Sequence, residues 1–202
     1  IIPYRNCSGL WHLNETSGDT AHDGTANGNN GNVSGGANWT EGKFGSSLLF
    51  DGIDDQIHFE NSSSFDVNQN DSFTVTAWFN TSNSTNQSIF AKGWFGDTTQ
   101  GYAMVINEEA THKVTVLVGD NATVGRIDSV TNVVDGKWHH VGLVRDTSAD
   151  QIILYVDGIR EGNISDNTTD NITIADSLHI GCLWNGTSFS DWFEGRIDEV
   201  AV

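Results

Sequence analysis

The sequence predicts an all-β sandwich, and three observations carry the prediction. Short runs alternate apolar and polar residues with the two-residue period of a half-buried strand. No segment shows an apolar stripe of helical period. Turns rich in Asn, Gly and Asp divide the runs at fairly regular spacing. A chain of 202 residues with no Pro-rich or charge-run linker fits one domain of this class. We expect an N-terminal arm over 1–8 and a sandwich domain over 9–202.

Ile1-Ile2-Pro3-Tyr4 is an apolar tip on the arm, and Gly9 to Leu13 reads as the first strand. Residues 14–42 lack apolar periodicity and are rich in Asn, Gly, Thr and Asp, so they read as a long surface loop. Ser47 to Phe50 and Gln56 to Phe59 read as a hairpin closed by the acidic turn Asp51-Gly52-Ile53-Asp54-Asp55. Phe73 to Phe79 alternates apolar and polar positions until Trp78 breaks the pattern. Further strands are expected over 88–91, 102–106, 114–118, 139–144, 151–156 and 178–183. Asp157-Gly158, directly after the Ile152 to Val156 run, signals a tight hairpin. Phe193 to Val202 is a terminal strand that must pair with something earlier and so seals the sandwich.

The formal net charge of −18 excludes nucleic acid and anionic membranes as natural partners, since both repel the average surface, and it favours hard cations. No run of 18 apolar residues is present to span a bilayer as a helix. The first residue is Ile1 rather than Met, which leads us to expect a processed, secreted or surface-displayed protein.

Fourteen N-x-[S/T] sequons point the same way, at Asn6, Asn14, Asn32, Asn38, Asn61, Asn70, Asn80, Asn83, Asn86, Asn121, Asn163, Asn167, Asn171 and Asn185. Random placement of this chain's Asn, Ser and Thr would give about four. The excess predicts an N-glycosylated extracellular protein. Cys7 and Cys182 are the only cysteines. In an oxidising compartment the simplest expectation is one disulfide closing a long loop, the alternatives being two separately buried thiols or a bridge between subunits.

Catalysis is not expected. No Glu-x-Asp or Asp-x-Glu pair occurs that would put two carboxylates on one face of a strand for glycoside cleavage. Asp198-Glu199 are adjacent, Glu108-Glu109 fall in a turn, and His139-His140 read as one packed ring and one exposed ring opening a strand. There is no Gly-x-Ser-x-Gly elbow and no zinc-ligand spacing. The segment Asp23 to Gly31 combines closely spaced side-chain oxygens with glycines, which is the donor chemistry of a Ca²⁺ loop without the spacing of an EF-hand.

Seven landmarks occur in the order seen in laminin G-like domains of the concanavalin A-like lectin/glucanase superfamily, which the chain resembles from residue 9 onward. They are Gly9-Leu10-Trp11, the Asp23 to Gly31 loop, Leu49 to Asp55, Ser72 to Trp78, Gly136 to Val141, Leu154 to Gly158 and Gly195 to Val200. The resemblance implies a jelly-roll sandwich of two antiparallel sheets with the last strand beside the first. It also implies a structural Ca²⁺ where the Asp23 loop meets the final strand. Asp23 and Asp198 are then the expected ligands, followed by Asn29 and the carbonyls around Thr25 and Asn27. Asp51 and Asp54 belong either to that site or to a solvated turn.

Two functions remain. A lectin-like module would stack a sugar on loop aromatics, with Trp94 and Trp184 the chosen positions and Phe95 and Trp192 nearby. A structural subunit would instead self-associate into a filament or surface layer through the apolar tip and the sequon-free stretches 87–120 and 124–162. The sequence favours the second, a calcium-stabilised adhesion or assembly protein, with carbohydrate binding as the alternative.

Overall fold

The computed structural model describes residues 6–60, 63–95, 99–106, 111–172 and 177–202, with the side chain of Trp94 also outside the described set. In chain order the elements are β1 (Leu10–Trp11), β2 (Thr20–Ala21), β3 (Gly31–Ser34), β4 (Asn38–Glu41), β5 (Ser46–Asp51), β6 (Gln56–Phe59) and a 3-10 turn (Ser63–Phe65). They continue with β7 (Phe73–Asn80), β8 (Gln87–Phe95), β9 (Thr99–Ile106), β10 (Val114–Asp120), β11 (Val124–Asp128) and β12 (Trp138–Asp146). The last are β13 (Gln151–Val156), β14 (Ile159–Ser165), β15 (Leu178–Ile180), β16 (Leu183–Trp184), β17 (Phe189–Ser190) and β18 (Glu194–Ala201). One sheet has the order β14-β13-β12-β7-β18-β5-β4, with β1 paired to β18, and the other runs β11-β10-β9-β8-β15-β6-β3-β2. The strand pairings within both sheets are antiparallel among the described residues, so this is a jelly-roll sandwich of the expected class.

Alternation drives the layering. Val75, Ala77 and Phe79 of β7 and Val141 and Leu143 of β12 are fully buried, as are Phe90, Met104, Val116 and Val118 of the other sheet, and together they form one core. Trp11 is fully buried at one end of it, its ring 4.6 Å from Phe59 and 5.6 Å from Phe65, with its indole N–H donating to the Asn29 carbonyl at 2.8 Å. That bond satisfies the one polar atom a buried tryptophan brings. The last strand does lie beside the first, with Leu10 facing Ala201 and Trp11 facing Val200.

Several expectations are corrected. Residues 14–42 are not one loop, since they hold β2, β3 and β4; polar residues occupy these strands because only one side chain in two faces the core, as in the buried-exposed alternation of Gly31–Ser34. Residues 47–59 do not form a hairpin. β5 pairs with β4 and β18 in one sheet while β6 pairs with β3 and β15 in the other, so the Asp51–Asp55 turn is a crossover between layers. By contrast the Asp157-Gly158 hairpin joins β13 to β14 as read, both residues having positive φ (52° and 78°), the twist a two-residue turn needs.

The cysteines are not bridged. Cys7 Sγ donates to the Gly9 carbonyl at 3.1 Å beside the end of β18, whereas Cys182 is fully buried next to β15 in the opposite sheet, its Sγ 3.3 Å from Gln56 Oε1. Burial pushes the Cys182 thiol up to about 12 and also raises the half-buried Cys7. A maleimide should therefore label Cys7 in the native protein and reach Cys182 only after unfolding. Peptide mapping under non-reducing conditions reads this directly, and a Cys7–Cys182 linked peptide would refute it.

Candidate functional site

The acidic residues expected to hold a metal are not gathered in one place. The Asp23 carboxylate accepts the amides of Leu10 (3.1 Å), Thr25 (2.8 Å) and Asn29 (2.9 Å) and the Thr25 hydroxyl (2.7 Å). Burial alone would raise this carboxyl, but those hydrogen bonds outweigh it and hold the group below its ordinary value. Asp23 thus organises its own loop. The Asn29 side chain joins that loop to the arm, donating to the Ser8 carbonyl at 2.7 Å. Asp198 is fully buried in β18, where one oxygen accepts the Lys43 and Phe44 amides at 2.8 and 3.0 Å. Burial pushes its carboxyl up to about 6 against the pull of those two amides.

Among the described residues, the acids that do converge are Asp51, Asp54 and Asp55, with ligand atoms within 4.8 Å of one another. Asp51 and Asp54 are exposed; Asp55, which the sequence reading did not single out as a ligand, is 3% exposed. Asp55 Oδ2 accepts the Asp51 amide at 2.8 Å, and the Ala37 amide also points at this carboxylate, yet Oδ1 closes no hydrogen bond. Burial first, then the Asp51 and Asp54 charges, raise the Asp55 carboxyl.

The aromatic residues chosen from the sequence lie elsewhere. Trp94 falls in β8, opposite Gln100, and its side chain is outside the described set. Trp184 pairs with Phe189 in the β16–β17 ladder, and its ring packs at 4.9 Å on Phe189, which in turn lies 5.9 Å from Trp192.

A different aromatic group faces outward from the β7–β12 sheet. The inward positions of β7 are Val75, Ala77 and Phe79, which leaves Trp78 on the outer face. Register sets His140 of β12 opposite Trp78 and Trp138 opposite Asn80. All three rings are half-buried, and they border an open trough of about 510 Å³ completed by Lys43, Asp157 and Gly158. Lys43 Nζ lies 4.4 Å above the Trp78 ring, while Phe44 meets that ring edge-on at 5.9 Å and His140 leans on it at 5.2 Å. The β4–β5 turn that carries Lys43 and Phe44 is pinned by Asp198, so the buried acid of β18 positions one wall of the trough.

The opposite wall is equally fixed. Asp157 accepts the His140 amide at 2.8 Å and faces His139 Nδ1 at 2.8 Å, while His139 Nε2 is 3.1 Å from Asp135. His139 is the packed ring expected of this pair, whereas His140, expected to be exposed, is half-buried. Burial lowers the His140 imidazole, opposed by Asp157, so the ring in the trough is neutral near pH 7 and offers one donor and one acceptor. Trp78 was legible as an oddity, the large apolar residue at a position where alternation demands a polar one.

A larger cleft, about 690 Å³, opens beside Asn6, Phe65 and Phe73. Its most prominent polar side chains are already engaged: the Tyr102 hydroxyl donates to the Phe65 carbonyl at 2.8 Å, and Arg145 is fully bonded within the chain. The shallow trough is therefore the better candidate.

Fold and trough together define a lectin-like sandwich with an aromatic platform. The chain belongs to the concanavalin A-like lectin/glucanases superfamily, matching a laminin G-type family model over residues 50–202. No curated protein matches the sequence. Among solved structures it is similar to the binding domain of Paraclostridial Mosquitocidal Protein 1, with TM-score 0.76 and 11% identity over 97% of this chain and 48% of that one. The chain thus spans about half of that domain's length. It is also similar to domain 4 of AbnA, a GH43 extracellular arabinanase from Geobacillus stearothermophilus solved with arabinotriose, with TM-score 0.71 and 18% identity over 96% and 90% of the two chains. A third likeness is to the CBM40 of Ruminococcus gnavus IT-sialidase, with TM-score 0.54 and 15% identity over 72% and 87%. Among the described residues, no helix is long and apolar enough to cross a membrane.

Proposed function

We propose that the chain is an extracellular glycan-binding module whose site is the trough of Trp78, Trp138 and His140. The observation that carries this reading is the pair of indoles set outward on adjacent strands of a sheet whose outer face is otherwise mostly polar. Sugar rings stack their C–H faces on such indoles, while Lys43, His140 and the Asp157 wall orient hydroxyls. The fold supports the reading, being shared with a domain solved with arabinotriose and with a sialidase's CBM40. The test is titration of oligosaccharides against intrinsic tryptophan fluorescence. Saturable quenching or blue shift with a Kd between about 1 μM and 1 mM is expected for at least one sugar. A broad panel of neutral and acidic sugars that produces no binding would reject it.

The same reading includes a structural Ca²⁺, placed at Asp51, Asp54 and Asp55 rather than at Asp23 and Asp198. Asp23 spends both oxygens on amides and a hydroxyl, whereas Asp55 and Asp198 each keep one buried oxygen without a hydrogen-bond partner, and of these two only Asp55 falls in a cluster of three carboxylates. Hard oxygen donors of this kind suit Ca²⁺. When bound, the ion would neutralise the crowded acids and brace the crossover between layers. Chelator at matched ionic strength is expected to lower Tm by several degrees in the native protein and to leave an Asp54→Asn, Asp55→Asn variant unmoved; an unchanged native Tm would discard the ion.

Self-association through the sequon-free stretches has a narrow structural basis. β8, β9, β10, β12 and β13 each have neighbours on both sides, so only β11 and the start of β14 within those stretches lie at a sheet edge.

A further inference from the structure

Among the described residues, the two main strand orders end at β14 and β4 in one sheet and at β11 and β2 in the other. A free edge presents unpaired N–H and C=O groups that invite strand pairing with another copy. A sequon lies on or beside each of these edges, that of Asn32 one strand in from β2. Asn163 lies on β14, Asn38 opens β4, Asn121 occupies the β10–β11 turn three residues before Val124, and Asn32 of β3 is the cross-strand partner of Thr20 in β2. All four side chains are exposed.

We propose that Asn32, Asn38, Asn121 and Asn163 carry N-linked oligosaccharides that cap the sheet edges and keep the module from pairing edge to edge. In the modification, the asparagine Nδ2 bonds to C1 of an oligosaccharide donated from a polyprenyl-phosphate carrier. The C1–O bond to phosphate breaks, the carrier leaves with its phosphate, and Nδ2 gives up one proton. One N–H remains, so Asn38 can keep its bond to the Gly36 carbonyl, 2.7 Å away. Each glycan is far bulkier than the strand spacing of about 4.8 Å, so a second strand cannot approach past it.

Two other sequons, at Asn80 and Asn83, are built differently. Asn80 on the interior strand β7 and Asn83 just beyond it are half-buried, and their Nδ2 atoms donate to the Gly136 carbonyl and to Glu194. The binding trough has no sequon among its lining residues. Capped edges and an open face are therefore compatible on one molecule.

Glycopeptide mass spectrometry of the protein from the organism that makes it tests the first half. Oligosaccharide mass is expected at the four edge asparagines and none at Asn80 or Asn83. Unmodified peptides at the edge sites overturn the proposal. Sedimentation tests the second half on the full chain with the four asparagines replaced by Gln and, separately, with the hydroxyl residues Ser34, Thr40, Thr123 and Ser165 replaced by Ala. Both variants are expected to shift from one monomeric species to concentration-dependent oligomers while the glycoprotein stays monomeric. Monomers in all three would refute edge capping, as would oligomers of the fully glycosylated protein.

Discussion

Replacing Trp78 or Trp138 by Ala should weaken oligosaccharide binding by roughly tenfold to a hundredfold each, the loss expected when a stacked indole and its buried area are removed. The change in stability should be small beside this, because both rings are half-exposed and lie outside the core between the sheets. The contrast with Trp184→Ala sharpens the experiment. That ring packs in its own small ladder against Phe189, and its removal should leave affinity unchanged. If affinity survives both Trp78→Ala and Trp138→Ala, the trough is not the site, whatever the module binds. If it falls with Trp184→Ala alone, the β16–β17 ladder takes its place.

The largest effect on stability is expected at Arg145. This guanidinium is 2% exposed and every nitrogen is used: Nε donates to Asp166 at 2.6 Å, one terminal nitrogen to the Asn68 and Asp71 carbonyls, and the other to the Gln69 carbonyl and Thr168. It ties the 68–71 connection and the segment after β14 to the end of β12. Arg145→Met fills similar volume yet removes the donor to Asp166 Oδ2 and to the Gln69 and Asp71 carbonyls, leaving the buried carboxylate only its bonds from Thr168. We expect a loss of about 3–5 kcal/mol in urea unfolding. Arg145→Lys should recover only part, since an ammonium on a flexible stem cannot reproduce a planar five-donor fork. A loss under about 1 kcal/mol for Arg145→Met would mean that the carbonyls find water and that the network is not structural.

Much of the architecture was readable where local pattern and tertiary role agree. Phe73 to Phe79 alternates because one face of β7 meets the core, and Asp157-Gly158 marks its hairpin because few other pairs accept two positive φ angles. The crossover at Asp51–Asp55 was misread for the same local reason. A short acidic turn between two apolar runs looks like a hairpin whether the strands pair with each other or depart to opposite sheets. The polar strands β2 to β4 were invisible because their pairing partners, not their composition, make them strands. The trough was hidden by distance in sequence. Trp78 and Trp138 sit sixty positions apart, and only the β7–β12 register puts them on one face. Of the chosen metal ligands, Asp51 and Asp54 converge with Asp55 whereas Asp23 and Asp198 each hold backbone amides, a difference in surroundings that the sequence does not carry.

The antiparallel pairing of β1 with β18 also sets how the fold answers a load. Ser8 and Gly9 donate to the Val202 carbonyl, and the Val202 amide donates back to Gly9, so these residues meet at one corner of the sandwich. Tension applied between them opens that ladder from its outermost hydrogen bond, one rung after another, because antiparallel rungs lie across the strands. The bonds are then stressed singly and in sequence rather than sheared together. Tethered through Ser8 and Val202, the sandwich yields as a zipper and at low force.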